Sequence, residues 1–316
     1  MNVFVETRDR YRTYSKYLKE KYGGRVHKIS INLPGTCPNR DGTRSTGGCI
    51  YCDEEGSGFN ALPSTMSVRE QVEKSREYLK KRFKAEKFIS YFQSYTNTYL
   101  SLDKFKTNIR DALGPDIVGI SVSTRPDCVQ EEYLDALGEI KDEWGVDINV
   151  ELGLQTVNYR TLKKINRGHT LAEFVDAVNR IKPRGFEICV HMILNLPWDD
   201  ITDVVEGAKF LSALGVHYVK LHSLYIVEGT PLGEMFKKGE IEVAPLSEYV
   251  RRVGAFLEYL DPNIVIQRLA AKGPKGKLLF CNWGLSLWAV KQEIERYLEE
   301  QDIYQGKKFN YLKRNL

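Results

Sequence analysis

No stretch of this chain stays apolar for the ~20 residues that a membrane-crossing helix needs. Its first residues are rich in tyrosine and arginine and carry no apolar signal segment. The expected location is therefore the cytoplasm. Cysteine is sparse, six in 316 residues, too few for a disulfide framework in a chain of this length, and a reducing compartment leaves the thiols open to metal. Low-complexity linkers and sequence repeats are lacking too. The net charge of +4 is only mildly basic, which permits an anionic partner without showing one, because a patch matters more than a total. Hydrophobic residues make up 42% of the chain, enough for a sizeable core. The length suits two average domains, or one barrel-like α/β unit of about 250 residues with extensions.

Three of the six cysteines crowd into one glycine-rich loop, Cys37 to Cys52. Eleven residues separate Cys37 from Cys49, and two separate Cys49 from Cys52. A C-x-x-C pair points two thiolates at one centre, and Gly47 and Gly48 let the backbone fold round it. Zinc would need a fourth Cys or His at a similar spacing, and the nearest, His27, lies beyond an apolar run. Three thiolates suit a 4Fe–4S cluster with one iron left open for a small molecule. A zinc site completed by a distant residue, or three unrelated thiols, stay open on spacing alone.

Around that loop, strand-like and helix-like runs alternate. Tyr11, Tyr14, Tyr17 and Leu18 lie on one face of a helix expected within 3–22. Strands are expected at 27–33, 88–92, 117–122, 148–154, 186–194 and 218–224. Helices fall between them at 67–84 (N-capped by Ser67), 102–113, 130–144, 158–165, 171–182 and 201–214. Apolar strands alternating with helices mean a parallel sheet covered by helices. Six such units predict an α/β partial (β/α)6 barrel over 27–240. A helical extension over 1–26 precedes it, and a C-terminal extension over 241–316 packs on it, capped by Trp283, Trp288 and a helix at 285–301.

Polar residues cluster at the C-terminal ends of the expected strands, where such barrels place function. They are Gln93, Ser94 and Thr96; Arg125 and Asp127; Glu151 and Gln155; Asn195; and Lys220 and His222. Structural readings compete: the Gln93 group can cap the next helix, and Arg125 can simply pair with Asp127. Glu151 is harder to explain away, because a carboxylate among Val150, Leu152 and Leu154 needs a partner or a ligand. His191 reads as a hydrogen-bonded core histidine. Cys128, Cys189 and Cys281 are dispersed and read as buried free thiols.

Ordered along the chain, these motifs resemble the radical S-adenosylmethionine (SAM) superfamily, in its YhcC/YtqA-like family related to the Elongator catalytic subunit. The resemblance runs from about Tyr11 to Pro274. It rests on Thr36-Cys-Pro-Asn-Arg-Asp-Gly42, Gly47-Gly-Cys-Ile-Tyr-Cys52, Gly56-Ser-Gly58, Phe92-Gln-Ser-Tyr-Thr-Asn-Thr98 and Thr124-Arg-Pro-Asp-Cys128. Further on it rests on Glu151-Leu-Gly-Leu-Gln-Thr156, Asn166-Arg-Gly-His169 and Gly229-Thr230. One turn departs from the family: Asn195-Leu-Pro-Trp-Asp199 stands where a Gly-Leu-Pro-Gly-Glu-like turn is usual, which implies a bulkier wall beside the adenine.

The resemblance implies that Cys37, Cys49 and Cys52 bind three irons of a 4Fe–4S cluster and that SAM chelates the fourth. Tyr51, Ile193 and Asn195 would lie by the adenine, and Gln93 and Ser94 by the methionine amine. Glu151 and Gln155 would face the ribose or methionine, and Arg167 would offset the carboxylate. Cleavage of SAM gives a 5′-deoxyadenosyl radical that takes a hydrogen from the substrate, so an electron donor such as flavodoxin or ferredoxin is implied. Lys220 and His222, expected across the mouth, are candidates for substrate contact. The implied substrate is tRNA, with the 5-carboxymethylaminomethyl group of wobble uridine as the leading target. Basic and aromatic residues interleave in Arg8–Tyr14, and basic runs occur at Lys80–Arg82, Lys272–Lys277 and Lys307–Arg314. The charges of helix 67–84 read equally as a solvated face. Two rivals remain: a radical SAM enzyme acting on a porphyrin-like small molecule, and a zinc-stabilised RNA-binding module without catalysis.

Overall fold

Apolar strand cores separated by capped amphipathic helices fold here into one continuous parallel sheet. The computed structural model describes residues 9–53, 56, 61–274 and 276–312; Arg8, Ser57, Gly58, Lys275 and Arg314 named above lie outside them. The elements follow in chain order as α1 (Tyr14–Tyr22), β1 (Val26–Ile31), α2 (Val68–Phe83), β2 (Lys87–Phe92), α3 (Leu102–Asp111) and β3 (Ile117–Thr124). Next come α4 (Glu131–Trp144), β4 (Asp147–Gln155), α5 (Tyr159–Lys164), α6 (Leu171–Ile181), β5 (Glu187–Ile193), α7 (Ile201–Leu214) and β6 (Tyr218–His222). The remainder is β7 (Tyr225–Val227), α8 (Pro231–Lys237), α9 (Leu246–Tyr259), β8 (Val265–Arg268), β9 (Leu278–Cys281) and α10 (Leu287–Glu300).

The sheet order is β1-β2-β3-β4-β5-β6-β8, with every neighbouring pair parallel. It curls into a half-barrel of seven strands, one more than the six units of the sequence pattern. The extra strand, β8, comes from within 241–316, so that segment contributes to the sheet as well as packing on it. A small antiparallel pair, β7 with β9, stands apart.

The N-terminal helix is shorter than expected and begins at Tyr14. Thr13 before it is extended, because it bridges in parallel to Ile266 of β8, and the Ile266 N–H donates to the Arg12 carbonyl at 2.8 Å. Backbone groups spent on the sheet edge cannot also join a helix. The start of α2 follows expectation. The Ser67 side chain accepts from the Glu70 N–H while Glu70 reaches back to the Ser67 N–H, a reciprocal pair that satisfies two free helix-end donors. Thr170 with Glu173 and Asp200 with Asp203 start α6 and α7 in the same way.

The core lies between sheet and helices, with Phe88, Phe92, Phe105, Phe174, Phe186 and Phe256 among its largest fully buried side chains. The concave face of the curl is different in kind. There each strand from β1 to β6, and β8, carries a polar side chain into the interior: Lys28, Tyr91, Ser121, Glu151, His191, Lys220 and Arg268. His191, Lys220 and Arg268 are direct partners across three adjacent strands.

Candidate active site

The cysteine loop is built by its own turns and then pinned by the segment after α5. The Arg40 N–H donates to the Cys37 carbonyl at 2.8 Å, Gly48 N–H to Asn39 at 2.8 Å, and Cys52 N–H to Cys49 at 3.0 Å. The Ile50 N–H reaches the Ile165 carbonyl at 3.1 Å, and Asn166 donates its side-chain amide to the Gly48 carbonyl at 2.8 Å. Asn39, fully buried, donates to the Asn166 carbonyl and, at 3.7 Å, to the sulfur of Cys49. Arg167 approaches the same sulfur, with Nη1 at 3.6 Å, while Nη2 is held by the Gly153 carbonyl at 2.7 Å.

Two glycines make room for this. A Cβ on Gly153 would stand 2.6 Å from Arg167 Nη2, and one on Gly168 would stand 2.2 Å from Asn39 Oδ1. Gly168 also sits at φ +78°, a conformation that costs a residue with a Cβ. The Asn-Arg-Gly-His motif thus acts as a platform for the loop.

These residues fit an iron–sulfur cluster. Two donors aimed at Cys49 suit a sulfur that carries negative charge. Burial pushes the Cys52 thiol up to about 12, so it becomes a thiolate only with a cation bound to it. A single zinc ion fits less well. Among the described residues, the side chains close enough to share one ion are Glu151, Cys189 and His191, within 4.8 Å of one another, and not the three loop cysteines. That trio is not a metal site either, because two ammoniums occupy Glu151 and burial keeps the Cys189 thiol protonated.

The three cysteines line one cavity of about 360 Å³ with the polar layer of the sheet. Glu151 is its centre. Its side chain is fully buried, and it is bound by Lys28, by Lys220 at 3.0 Å, by His191 Nε2 at 2.6 Å and by Ser121 at 3.0 Å. Burial works to raise the Glu151 carboxyl, but the Lys220 and Lys28 ammoniums outweigh it and hold the group well below the usual range. Burial lowers Lys220 to about 8, and burial followed by the Lys220 charge lowers His191 to about 4. Lys220 also donates to Tyr91 at 2.9 Å. His222 accepts from Arg268 Nη2 at 2.6 Å through Nδ1, and burial with that guanidinium keeps the imidazole uncharged.

Most of the residues chosen from the sequence meet in this cavity: Tyr51, Gln93, Glu151, Gln155, Arg167, Ile193, Lys220 and His222, together with Arg125. Ser94 and Asn195 do not line it. Ser94 donates to the Asn32 side chain, and Asn195 accepts the Leu224 N–H at 2.7 Å through Oδ1, with its Nδ2 buried and without a partner. Trp198, expected to thicken the wall beside the adenine, does not line the cavity either. Trp198 packs outside the cavity, near Leu162 and Leu196, with the Lys164 ammonium 5.4 Å from its ring centre. Lys220 and His222 lie inside and not across the mouth, since Lys220 sits mid-strand and is only 9% exposed. Glu151 and Arg167 turn to the lysines and to Cys49 rather than standing free for a ligand. Arg125 does pair with Asp127, at 2.9 Å through two nitrogens, and also holds the Arg167 carbonyl at 2.8 Å.

Lys28, Tyr91 and Arg268 were missed, while His191, read as a hydrogen-bonded core histidine, is indeed bonded, to Glu151, and lines the cavity as well. Lys28 carries the same signal as Glu151, a charge in an apolar strand. Tyr91 reads as an ordinary strand aromatic, and Arg268 offered none because β8 was not expected. Cys128 and Cys189 are buried free thiols as expected, while Cys281 is half-buried. The basic runs are neutralised in part: Arg10 and Lys307 pair with Asp302, Lys80 with Asp116, and Lys308 with Glu258, while Lys81, Arg82, Lys272 and Lys277 form no ion pair among the described residues. On the exposed face of α5, Arg160, Lys163 and Lys164 likewise form no ion pair among the described residues. No helix of the described residues is long and apolar enough to cross a membrane.

Comparison with known proteins agrees with this geometry. The Radical SAM superfamily model matches residues 16–211, and the Radical_SAM C-terminal domain matches 216–300. YtqA of Bacillus subtilis is 35% identical over 310 residues, covering 98% of this chain and 96% of its own. A tRNA uridine(34) acetyltransferase of Methanocaldococcus jannaschii is 28% identical over 130 residues, 39% of this chain and 22% of its own. Among solved structures, Elp3 of Methanocaldococcus infernus superposes with a TM-score of 0.67 at 18% identity, over 89% of this chain and 64% of that one, which shows a shared fold. These matches leave no place for the zinc-stabilised, non-catalytic module. The chain belongs to the radical SAM superfamily, in the YhcC/YtqA-like family related to the Elongator catalytic subunit, and is an enzyme whose cofactors are a 4Fe–4S cluster and SAM.

Proposed function

We propose that this enzyme modifies tRNA, remodelling the 5-carboxymethylaminomethyl side chain of wobble uridine. The observation that carries the reading is the exposed face of α5. It presents Arg160, Lys163 and Lys164, with Lys163 over the Tyr159 ring and Lys164 over Trp198. This face adjoins the cysteine loop through the Ile50–Ile165 hydrogen bond. Unpaired cations can hold phosphates while exposed aromatics stack unpaired bases. A relative named for tRNA uridine 34 supports the same substrate class.

In this reading Cys37, Cys49 and Cys52 hold three irons, and Asn39 and Arg167 stabilise charge on sulfur. Tyr51 and Ile193 border the adenine, and Gln93 and Gln155 meet the methionine and ribose. Lys220 and His222 face the substrate. When bound, the cluster and SAM supply a 5′-deoxyadenosyl radical that takes a hydrogen from the substrate. The chain's own part is to orient the reacting groups and to keep water from them.

The test is anaerobic reaction of the reconstituted enzyme with SAM, a reductant and tRNA from a strain lacking the gene, followed by nucleoside mass spectrometry. Replacing Arg160, Lys163 and Lys164 together by Gln is expected to flatten the dependence of log affinity on log salt by about 2 to 3, as phosphate contacts are lost. An unchanged salt slope, or an unaltered wobble nucleoside with the wild type, overturns the reading.

A further inference from the structure

We infer that the end of the cavity formed by Lys220, His222 and Arg268 is the subsite for a carboxylate of the substrate. The observation behind it is an imbalance of buried charge. Lys28, Lys220 and Arg268 all line the cavity, and Glu151 is the single acidic residue among its described lining residues. The same three cations also line a second cavity of about 490 Å³, which lies between α1, β1 and β8, and its described lining contains no acid at all. His191 and His222, their rings tilted against each other with centres 5.2 Å apart, add no compensating charge, since both are held neutral.

Glu151 is already claimed by two ammoniums, and Arg268 is hydrogen-bonded to a neutral imidazole, that of His222. The Arg268 Nε lies buried with no acceptor, and so does Gln267 Nε2 next to it. Cations out of water without a counter-charge are costly, and a bound anion relieves the cost. The geometry selects the anion. Arg268 and Lys220 are partners on adjacent strands, so their side chains start about 5 Å apart. A planar guanidinium beside an ammonium matches a small planar carboxylate. In the proposed reading SAM would be held beside Cys37, Cys49 and Cys52, so the group bound here would belong to the substrate. The subsite stands on the charge imbalance; only the molecule that carries the carboxylate rests on the tRNA reading.

The experiment uses cluster-loaded protein saturated with SAM and without reductant. It follows the melting temperature during titration with sodium acetate, sodium phosphate or sodium chloride at one ionic strength. Acetate at tenfold its Kd is expected to raise the wild-type melting temperature by about 2 °C, and to do nothing for Arg268→Gln. Equal shifts in both proteins, no shift with acetate, or a shift with phosphate alone overturns the assignment. Cluster absorbance checks that the variant is folded; if it is not, Arg268→Lys takes its place and should bind acetate more weakly.

A second arm compares anticodon stem-loops bearing the carboxymethylaminomethyl group or its carboxamide. For the carboxylate, Arg268→Gln should raise KM about tenfold to a hundredfold, the loss expected of one charge-assisted contact. The amide, already lacking that contact, should feel the substitution far less. An equal penalty on both overturns the subsite. If the wild type turns over neither stem-loop, the tRNA reading falls, and the acetate titration still decides the subsite.

Discussion

Replacing Glu151 by Gln tests the electrostatic centre of the barrel. The substitution keeps size and shape but removes the one carboxylate that offsets Lys28 and Lys220. Breaking a buried pair by deleting one member costs about 3–5 kcal/mol, because the partner charge stays behind. For 316 residues the entropy of unfolding makes that a fall in melting temperature of about 5–8 °C. The pH dependence gives the effect its signature. In the wild type, the Glu151 carboxyl is held below its ordinary 4.5, so its contribution is complete above that pH and fades only in acid. Lys220 is lowered, to about 8 even with Glu151 present, and falls further without it. A lowered lysine penalises the fold while it is protonated, and the penalty lifts as pH rises and the folded state sheds the proton. The gap between variant and wild type should therefore narrow from pH 6 to pH 8. Scanning fluorimetry of cluster-loaded protein at pH 6, 7 and 8 checks this. Equal melting temperatures at pH 7, or a gap that widens with pH, refutes the reasoning.

Three further substitutions probe other parts of the molecule. Cys49→Ala should abolish both iron binding and SAM cleavage, measured as iron per chain and as 5′-deoxyadenosine released; retention of either speaks against the three-cysteine ligand set. Gly168→Ala should cost about 1–2 kcal/mol for the left-handed backbone alone. Its Cβ would also displace Asn39 from the Cys49 sulfur, so iron content should fall along with the melting temperature, and unchanged iron would separate Asn39 from cluster binding. Asp199, whose own Oδ1 is buried without a hydrogen-bond partner, has its carboxyl pushed up to about 6 by burial. Its penalty is absent below about pH 4 and complete above pH 6, on the order of 2–3 kcal/mol. Asp199→Asn should raise the melting temperature by about 2–4 °C at pH 7 and by less at pH 5, and a gain independent of pH would rule out this cause.

Six of the seven sheet strands and most helix bounds were legible in the linear chain, because each is written locally. Val and Ile cores mark the strands, and Ser67 with Glu70 marks a helix start. The strand β8 was not legible: Val265-Ile-Gln-Arg268 has no distinctive pattern and becomes a strand only because β6 and Thr13 flank it. Arg268 went unseen with it. Glu151 stood out as a carboxylate in an apolar strand, yet its partners could not be named. Lys28 and Lys220 reach it only because the sheet curls, 123 and 69 residues away along the chain. The pairing within the basic runs was illegible for a related reason, since Lys80 and Lys308 meet acids 36 and 50 residues away.

The sequence by itself determined the cysteine loop, the strand–helix alternation and the demand that a mid-strand carboxylate be answered. Those follow from short-range chemistry: ligand spacing, side-chain periodicity and the cost of burying charge. Only the tertiary structure decided which side chains answer Glu151, that Ser94 and Asn195 turn away from the cavity, and that cations outnumber acids around it. Such facts depend on how distant strands close on one another, and no local pattern records that closure.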